Sequence, residues 1–190
     1  AQPLPRVAPQ QVGFDAERLQ NADYVINQSI EAGEMPGAVL AVVRDGKMAY
    51  LKAYGNRSIF PTAEPMTANS IFDMASCSKT LGTAVSFMTL VDKGLIRLQD
   101  AVSVYLPGFK NWEGENGKST IRVEHLLTHT SGIPSYVSPK HIRETYGENA
   151  NTDSLIAYIG SCRRDFKPGT KFQYSCLNFI TLQKISSRKA

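Results

Sequence analysis

Hydrophobic residues near the start of the chain recur every three or four positions and then give way to a continuous apolar run. The first pattern predicts a helix from Val12 to Glu31, for which Asp15 is a plausible N-cap. Its apolar face is formed by Leu19, Ala22, Ile26 and Ile30. Residues 38–43 are nearly all apolar, which predicts a strand covered on both faces. Asp45-Gly46 then predicts a two-residue hairpin turn, and residues 47–54 form the return strand.

Beyond this hairpin the pattern is mainly helical. Residues 76–93 predict a helix whose apolar face is formed by Leu81, Val85, Met88 and Val91. Shorter helices are predicted over residues 123–129, 153–160 and 177–185, and a polar surface loop over residues 111–119. A helix, a hairpin and a long helical stretch indicate the α+β class, not alternating β and α elements. We therefore assign residues 1–56 to an N-terminal helix and first hairpin, and residues 57–190 to a mainly helical part.

Composition and charge narrow the class of protein. The 190 residues suffice for a real core, and 42% hydrophobic with 20% charged residues is typical of globular proteins. No apolar run is long enough to cross a bilayer. The net charge of +4 is scattered and its densest run is Arg163-Arg164, so we expect no nucleic-acid partner. The first residue is not Met, which we interpret as removal of a signal peptide from a periplasmic or secreted protein.

One short motif carries candidate chemistry. Ser76-Cys77-Ser78-Lys79 places a hydroxyl and an amine three positions apart, on one face of the predicted helix. Ser76 lies in its first turn, where the helix dipole favours developing negative charge. Lys79 can accept the hydroxyl proton if burial or a nearby cation lowers its pKa. The motif alone is weak, because Ser186 and Lys189 repeat the same spacing near the end of the chain.

The surrounding sequence makes the motif specific. The segment Ile71-Phe72-Asp73-Met74-Ala75-Ser76-Cys77-Ser78-Lys79-Thr80 resembles the nucleophile segment of class C β-lactamases and their esterase and D-Ala-D-Ala peptidase relatives. Residues 94–107 and 120–134 are similar to the family's next segments. Pro168-Gly169-Thr170-Lys171-Phe172-Gln173-Tyr174-Ser175 is similar to the approach to its Tyr-x-Asn motif. The resemblance runs, in the right order, from about Gly37 to the C-terminus.

The resemblance implies a fold and a reaction. The fold is an antiparallel sheet flanked by helices plus a helical region, with the active site between them. Ser76 is expected to be acylated by a β-lactam, a small ester or a D-Ala-D-Ala peptide, while Lys79 and Tyr174 share proton transfer. Neither a metal nor another cofactor is expected. Two alternatives stay open: a non-catalytic penicilloyl-binding or sensor module, and an inactive fragment of such an enzyme.

Cys176 departs from the family pattern, which has Asn at this substrate-binding position. A thiol is only a weak hydrogen-bond donor, so Cys176 suits simple esters better than β-lactams with amide side chains. Cys77 and Cys176 are expected near the site, either as buried free thiols or, as the less favoured alternative, as a disulfide. With Cys162 they make three cysteines, which fit neither a disulfide framework nor a zinc pattern.

A second departure concerns the sheet. The family continues after its tyrosine motif into a strand with a Lys-Thr-Gly or His-x-Gly triplet, and no such triplet follows Tyr174. The sequence therefore predicts a family fold lacking its C-terminal strands, with weak or no turnover. The hairpin over residues 38–54 would then expose an edge that pairs with another copy or a complementing polypeptide. The alternative is a normal enzyme whose sequence is merely cut short.

Three other signals are set aside. His125 and His129 have the spacing of a metal pair, but no carboxylate follows His125 and no third ligand is evident, so we interpret them as structural. Residues 114–120 end like a phosphate loop but lack its first glycine and a preceding strand. The absence of a G-x-S-x-G motif argues against the nucleophile elbow of α/β-hydrolases.

Overall fold

The α+β class is confirmed by a computed structural model, which describes residues 3–115 and 117–189. Its elements are helices and two small antiparallel sheets. They form two compact units, one ending at Asp73 and the other beginning at Met74, whereas the sequence analysis divides the chain after residue 56. No helix within the described residues is long and apolar enough to span a bilayer.

The first unit pairs one helix with a small sheet. A single 3-10 turn at Pro9–Val12 precedes helix α1. The elements that follow are α1 (Ala16–Glu31), β1 (Gly37–Arg44), β2 (Lys47–Ser58) and the short β3 (Glu64–Pro65), and the sheet order is β1-β2-β3. Asp15 is the N-cap of α1 as predicted, because its carboxylate accepts from the backbone N–H groups of Glu17 and Arg18 at 2.9 and 3.1 Å.

The predicted hairpin is present, but its first strand is less buried than predicted. Asp45 and Gly46 both have positive φ, at 51° and 68°, as a tight turn between antiparallel strands requires. The expectation that β1 is covered on both faces is wrong, since Ala41 and Val43 are exposed. The reason is that α1 packs against β2 and the sheet is small, so little of the unit is available to cover the end of β1.

Asp23 anchors α1 to β2. The side chains of Tyr50, Lys52 and Tyr54 share one face of β2, because alternate residues of a strand point the same way. The Asp23 carboxylate accepts hydrogen bonds from both tyrosine hydroxyls and from Lys52 Nζ, the latter at 2.5 Å. Hydrogen bonds from Lys52, Tyr50 and Tyr54 lower the pKa of Asp23 to about 2. The ionised carboxylate therefore joins a helix to three positions of a strand.

The second unit is mainly helical. A π-helical segment (Lys79–Ala84) continues directly into α2 (Val85–Asp92) and is followed by α3 (Val102–Tyr105). Strands β4 (Trp112–Gly114) and β5 (Gly117–Ser119) pair as an antiparallel hairpin where the sequence analysis predicted a loop. The remaining helices are α4 (Val123–Leu127), α5 (Pro139–Tyr146), α6 (Thr152–Ser161) and α7 (Cys176–Lys189). Helix α5 lies in a stretch whose sequence pattern predicted no element.

Helix α7 lies at the centre of this unit and packs against α2, α4 and α6. Its Leu177, Leu182 and Ile185 are at most 2% exposed. The apolar face predicted for residues 76–93 is mostly wrong: Leu81, Val85 and Met88 are exposed and Val91 packs partly buried against the core, whereas the buried positions are Phe87 and Leu90. A π-helix has a wider turn than an α-helix, so a 3.6-residue pattern started at Ser76 loses its phase across Lys79–Ala84.

Candidate active site

Ser76 lies in a hydrogen-bonded turn immediately before the π-helical segment. Three successive turn hydrogen bonds, beginning with the one from Cys77 N–H to Met74 O, lead the chain into the helix. Ala75, the residue before Ser76, has a φ of 41°, a left-handed conformation that alanine rarely adopts. Such backbone conformations cluster at functional sites, as π-helical turns also do. The Ser76 side chain is exposed at this point.

Lys79 and Tyr174 meet at Ser76. Lys79 Nζ donates to Ser76 Oγ at 3.2 Å, which is the geometry predicted from the S-x-x-K spacing. The Tyr174 side chain is within hydrogen-bonding reach of Lys79 and of Ser76, and Lys79 Nζ lies 5.2 Å from the centre of its ring. The tyrosine is separated from the motif in sequence but lies next to it in the fold. The three side chains therefore form one polar cluster within the second unit.

The protonation states of this cluster differ from the sequence expectation. A catalytic base at Lys79 requires a lowered pKa, but its hydrogen bond with Tyr174 raises the Lys79 pKa. The same hydrogen bond from Lys79, followed by the one from Ser76, lowers the pKa of Tyr174. Lys79 therefore favours the ammonium form, and its charge favours the ionised form of Tyr174.

His129 holds the tyrosine segment in place through three consecutive residues. Its backbone carbonyl accepts from Gln173 N–H at 2.9 Å, and its Nδ1 accepts from Ser175 N–H at 3.1 Å. Its ring stacks on that of Tyr174 with centroids 4.5 Å apart. His129 itself has a positive φ of 57°. The imidazole thus fixes the position and the plane of the Tyr174 ring.

The imidazole is neutral, with its proton on Nε2. Burial, and then the nearby charge of Lys79, lower the pKa of His129. Nδ1 accepts from Ser175, so it carries no proton, and the Asn178 amide approaches the same atom at 3.4 Å. Asn178 is fully buried and its Oδ1 accepts from Ser131 Oγ at 2.7 Å. The buried hydrogen-bonded pair Asn178 and Ser131 therefore packs against His129 and supports its orientation.

Cys176 is the first residue of α7 and lies beside the cluster. Its side chain is within hydrogen-bonding reach of Lys79, and it is half-buried. With Ala75, Ser78 and Lys79 it lines an open groove of about 380 Å³. All three cysteines are free thiols, so the alternative of a Cys77–Cys176 bridge is wrong. Cys77 is exposed, not buried as expected, because it faces away from the core at the start of the helix.

The competing motifs lack this organisation. Ser186 Oγ donates to the Gln183 carbonyl at 2.9 Å, while Lys189 Nζ lies 5.6 Å from the centre of the Tyr105 ring. The second S-x-x-K therefore does not form a serine–lysine pair. His125 accepts from Arg122 N–H through Nδ1 at 3.0 Å. His129, predicted to be structural, contacts the candidate catalytic residue Tyr174.

The roles of His129 and Asn178 could not be predicted from the sequence pattern. The hydrogen bond between His129 and Ser175 joins residues 46 positions apart, and no helical or strand periodicity indicates such a contact. The one signal that could have found it is the position of His129 inside a segment that resembles the same family as the Tyr174 segment.

Comparisons with known proteins agree on one family. A family model described as "Beta-lactamase" matches residues 22–188. The "N-acetylmuramyl-L-alanine amidase" of Bacillus subtilis (strain 168) is 34% identical over 180 residues, which are 89% of this chain and 40% of that protein. A solved "Beta-Lactamase/D-Alanine Carboxypeptidase from Pseudomonas syringae" is 26% identical, with a TM-score of 0.70 over 91% of this chain and 44% of that one. A solved class C beta-lactamase is also 26% identical, with a TM-score of 0.68 over 93% and 46%. The chain thus spans less than half the length of the relatives it matches.

Proposed function

The chain belongs to the beta-lactamase family, and we propose on this basis that it acts as a serine hydrolase through an acyl-enzyme on Ser76. The substrate is a β-lactam, a small ester or a D-Ala-D-Ala peptide. The amidase and carboxypeptidase names of its relatives support acyl transfer from an amide or ester carbonyl. They also favour a place of action outside the cytoplasm, in the periplasm or after secretion.

The arrangement of Ser76, Lys79 and Tyr174 carries this proposal. A serine hydroxyl is a weak nucleophile until an adjacent base accepts its proton. Here the hydroxyl is 3.2 Å from the Lys79 amine and hydrogen-bonded to a tyrosine whose pKa is lowered. The Lys79 ammonium favours the phenolate form of Tyr174, which is the form that can take the Ser76 proton. The hydroxyl of Ser186 donates to a backbone carbonyl instead, and Lys189 lies against the Tyr105 ring.

The proposed reaction has two halves. Tyr174 takes the proton of Ser76 as Oγ attacks the substrate carbonyl carbon, and the backbone N–H of Ser76 faces the oxyanion. The bond to the leaving group then breaks, and Tyr174 returns the proton to the departing oxygen or nitrogen. In the second half, water attacks the acyl carbon of the Ser76 ester and gives a proton to Tyr174. The bond from that carbon to Ser76 Oγ then breaks, and Tyr174 passes the proton to Oγ, which releases the acid and restores the hydroxyl.

The test is a labelling experiment with a matched control. The chain, its Ser76→Ala variant and its Ser186→Ala variant are treated with a fluorescent penicillin or a fluorophosphonate, and the adduct is mapped by mass spectrometry. We expect label on Ser76 in the original chain and in Ser186→Ala, and none in Ser76→Ala. Label that persists in Ser76→Ala, or that maps to Ser186, would rule out the assignment.

Turnover separates hydrolysis from acylation alone. Nitrocefin and p-nitrophenyl butyrate report on β-lactam and ester hydrolysis, and Ser76→Ala is expected to lower either rate by about a thousandfold or more. Stoichiometric labelling without turnover would instead indicate a penicilloyl-binding or sensor module.

We also propose that strand β1 mediates self-association or pairing with a complementing polypeptide. Among the described residues its backbone pairs with β2 alone. An unpaired strand edge is a template for a further strand.

A further inference from the structure

An apolar cavity of about 460 Å³ opens beside the candidate active site. Helices α5 and α6 and the first turns of α7 form its walls. Its apolar lining is formed by Val137, Ile142, Leu155, Cys176, Leu177 and Ile180. Its two charged lining residues, Arg143 and Glu148, are exposed. The interior thus offers hydrocarbon contacts, with charge only where solvent reaches.

The cavity begins at a residue of the catalytic cluster. Cys176 lines this cavity and also the groove that contains Lys79, and Ile180 lines both. The Cys176 side chain is within hydrogen-bonding reach of Lys79, whose amine is 3.2 Å from Ser76 Oγ. Cys176 and Ile180 therefore form the boundary between the groove beside Lys79 and the apolar cavity. An acyl group on Ser76 would reach the cavity past these two side chains.

The chemistry of Cys176 fits this route. A free cysteine behaves as a small hydrophobic residue with only a weak donor. It therefore does not select for a polar amide at the entrance, and a hydrocarbon chain passes it without leaving a strong hydrogen-bonding group unpaired. Pockets of this size are lined mainly by apolar side chains with a few polar groups that fix the orientation. Here Ser76, Lys79 and Tyr174 supply those polar groups.

We infer that the cavity behind Cys176 binds the hydrocarbon part of the acyl group, so that the substrate class is esters or amides of unbranched apolar acids longer than acetate. This inference rests on the proposed acylation of Ser76. It adds a preference for chain length, which increases transition-state binding by about fourfold for each buried methylene.

The test compares p-nitrophenyl acetate, butyrate, hexanoate and octanoate. We expect kcat/KM to rise from acetate to hexanoate by about fourfold per methylene. Thr152→Trp places an indole in the cavity from an exposed position on α6, where overpacking of the core is avoided. It is expected to lower kcat/KM for hexanoate by about tenfold while acetate changes by less than about twofold, because only the longer chain needs the cavity. Leu155→Trp fills the cavity more deeply and is expected to act in the same direction.

The matched control is Ala157→Trp, on the exposed side of the same helix and outside the cavity lining. It is expected to keep the chain-length preference. Equal kcat/KM for all four esters, or an equal effect of Thr152→Trp and Ala157→Trp, would overturn the inference even where Ser76-dependent hydrolysis is observed.

A binding measurement covers the case in which no ester is hydrolysed. Octanoate and acetate are titrated into the Ser76→Ala chain by calorimetry. Octanoate is expected to bind more tightly than acetate, and Thr152→Trp in the same background is expected to abolish the difference. Retained binding without hydrolysis contradicts the proposed function and leaves the cavity assignment intact. Absence of any difference between the two acids contradicts the cavity assignment.

Discussion

His129 joins two parts of the second unit that are far apart in sequence, and its imidazole must be neutral to do so. Protonated Nδ1 cannot accept the hydrogen bond from Ser175 N–H, and the added charge would face Lys79. The pKa of His129 lies below its ordinary value of 6.5, so the imidazole stays neutral at pH 7 and gains its proton only in acid. We expect the rate of Ser76 acylation to fall as the pH drops through this lowered pKa.

Substitution of His129 tests the same point. His129→Phe keeps a stacking ring but leaves Ser175 N–H without its acceptor, which costs roughly 1–3 kcal/mol and lowers acylation by about tenfold or more. His129→Asn keeps an acceptor and tolerates the left-handed backbone, so it should recover part of the rate. Stopped-flow acylation measured from pH 5 to pH 9 checks this. In His129→Asn the part of the acid limb due to His129 should be lost, so that only the titration of Tyr174 shapes the profile, and an unchanged acid limb would contradict the role given to His129.

Replacing Cys176 by asparagine is expected to shift the substrate preference towards β-lactams. Cys176→Asn introduces an amide donor and acceptor beside Lys79, which can pair with the side-chain amide of a β-lactam. One added hydrogen bond of about 1–1.5 kcal/mol corresponds to roughly a tenfold faster acylation by benzylpenicillin. Acylation rates of benzylpenicillin and p-nitrophenyl acetate are compared in both proteins. The acetate ester has no such amide and serves as the control, so an equal gain with both substrates would contradict the prediction.

Sequence reasoning finds candidate catalytic side chains more easily than the residues that position them. Ser76 and Lys79 are indicated by three-residue spacing, and Tyr174 by resemblance to a family motif. The contact of His129 with Ser175 spans 46 residues and arises from tertiary packing, which local periodicity does not encode. The pKa directions of Lys79 and Tyr174 depend on the contact between the two side chains, which the fold creates, so the sequence alone could not give them.

At the scale of elements, Asp23 predicts how the first unit responds to acid. Its pKa is about 2 in the folded chain, below its ordinary value of 3.8, so the folded state favours the ionised carboxylate. This contribution to stability is fully present above about pH 4 and is lost as the pH falls through 2. Asp23→Asn removes the charge that Lys52 and two tyrosines bind, and is expected to cost about 1–3 kcal/mol.

Urea unfolding of the original chain and of Asp23→Asn, followed between pH 2 and pH 7, checks this prediction. Asp15→Asn is a matched control, because asparagine also caps helices well. The difference in the free energy of unfolding between Asp23→Asn and the original chain should shrink towards pH 2. A difference that stays constant over this range would show that the carboxylate charge is not responsible.

Turns and caps that are determined by neighbouring residues were predicted correctly. Elements that are shaped by tertiary contacts were not. The Asp45-Gly46 turn and the Asp15 cap depend on a few neighbouring residues, and both are confirmed. The π-helical turn at Lys79–Ala84 has no signature in the apolar pattern, so the buried face of the nucleophile helix was placed on Leu81, Val85 and Met88 instead of Phe87 and Leu90. Helix α5 was missed because its Ile142 is a lone buried position in a polar stretch.

At the scale of the whole molecule, we expect copies of this chain to associate through strand β1 as the protein concentration rises. Its exposed residues Ala41 and Val43 and its edge can accept a strand from another copy. Light scattering is expected to give a mass above that of a monomer at high protein concentration. Val43→Lys adds a charge that natural edge strands use against such pairing, and it should return the mass towards that of a monomer. A mass that is monomeric at every concentration would contradict the proposed edge pairing.

The left-handed backbone of Ala75 has a consequence for how this protein would evolve in the laboratory. Glycine adopts such a φ without steric cost, so Ala75→Gly relieves strain and gains up to about 1 kcal/mol, offset in part by the freedom of glycine in the unfolded chain. A library screened only for heat resistance would therefore tend to accumulate glycine at position 75. The same change would loosen the residue that orients Ser76, so variants enriched for thermostability should include ones that survive heating but have lost reactivity.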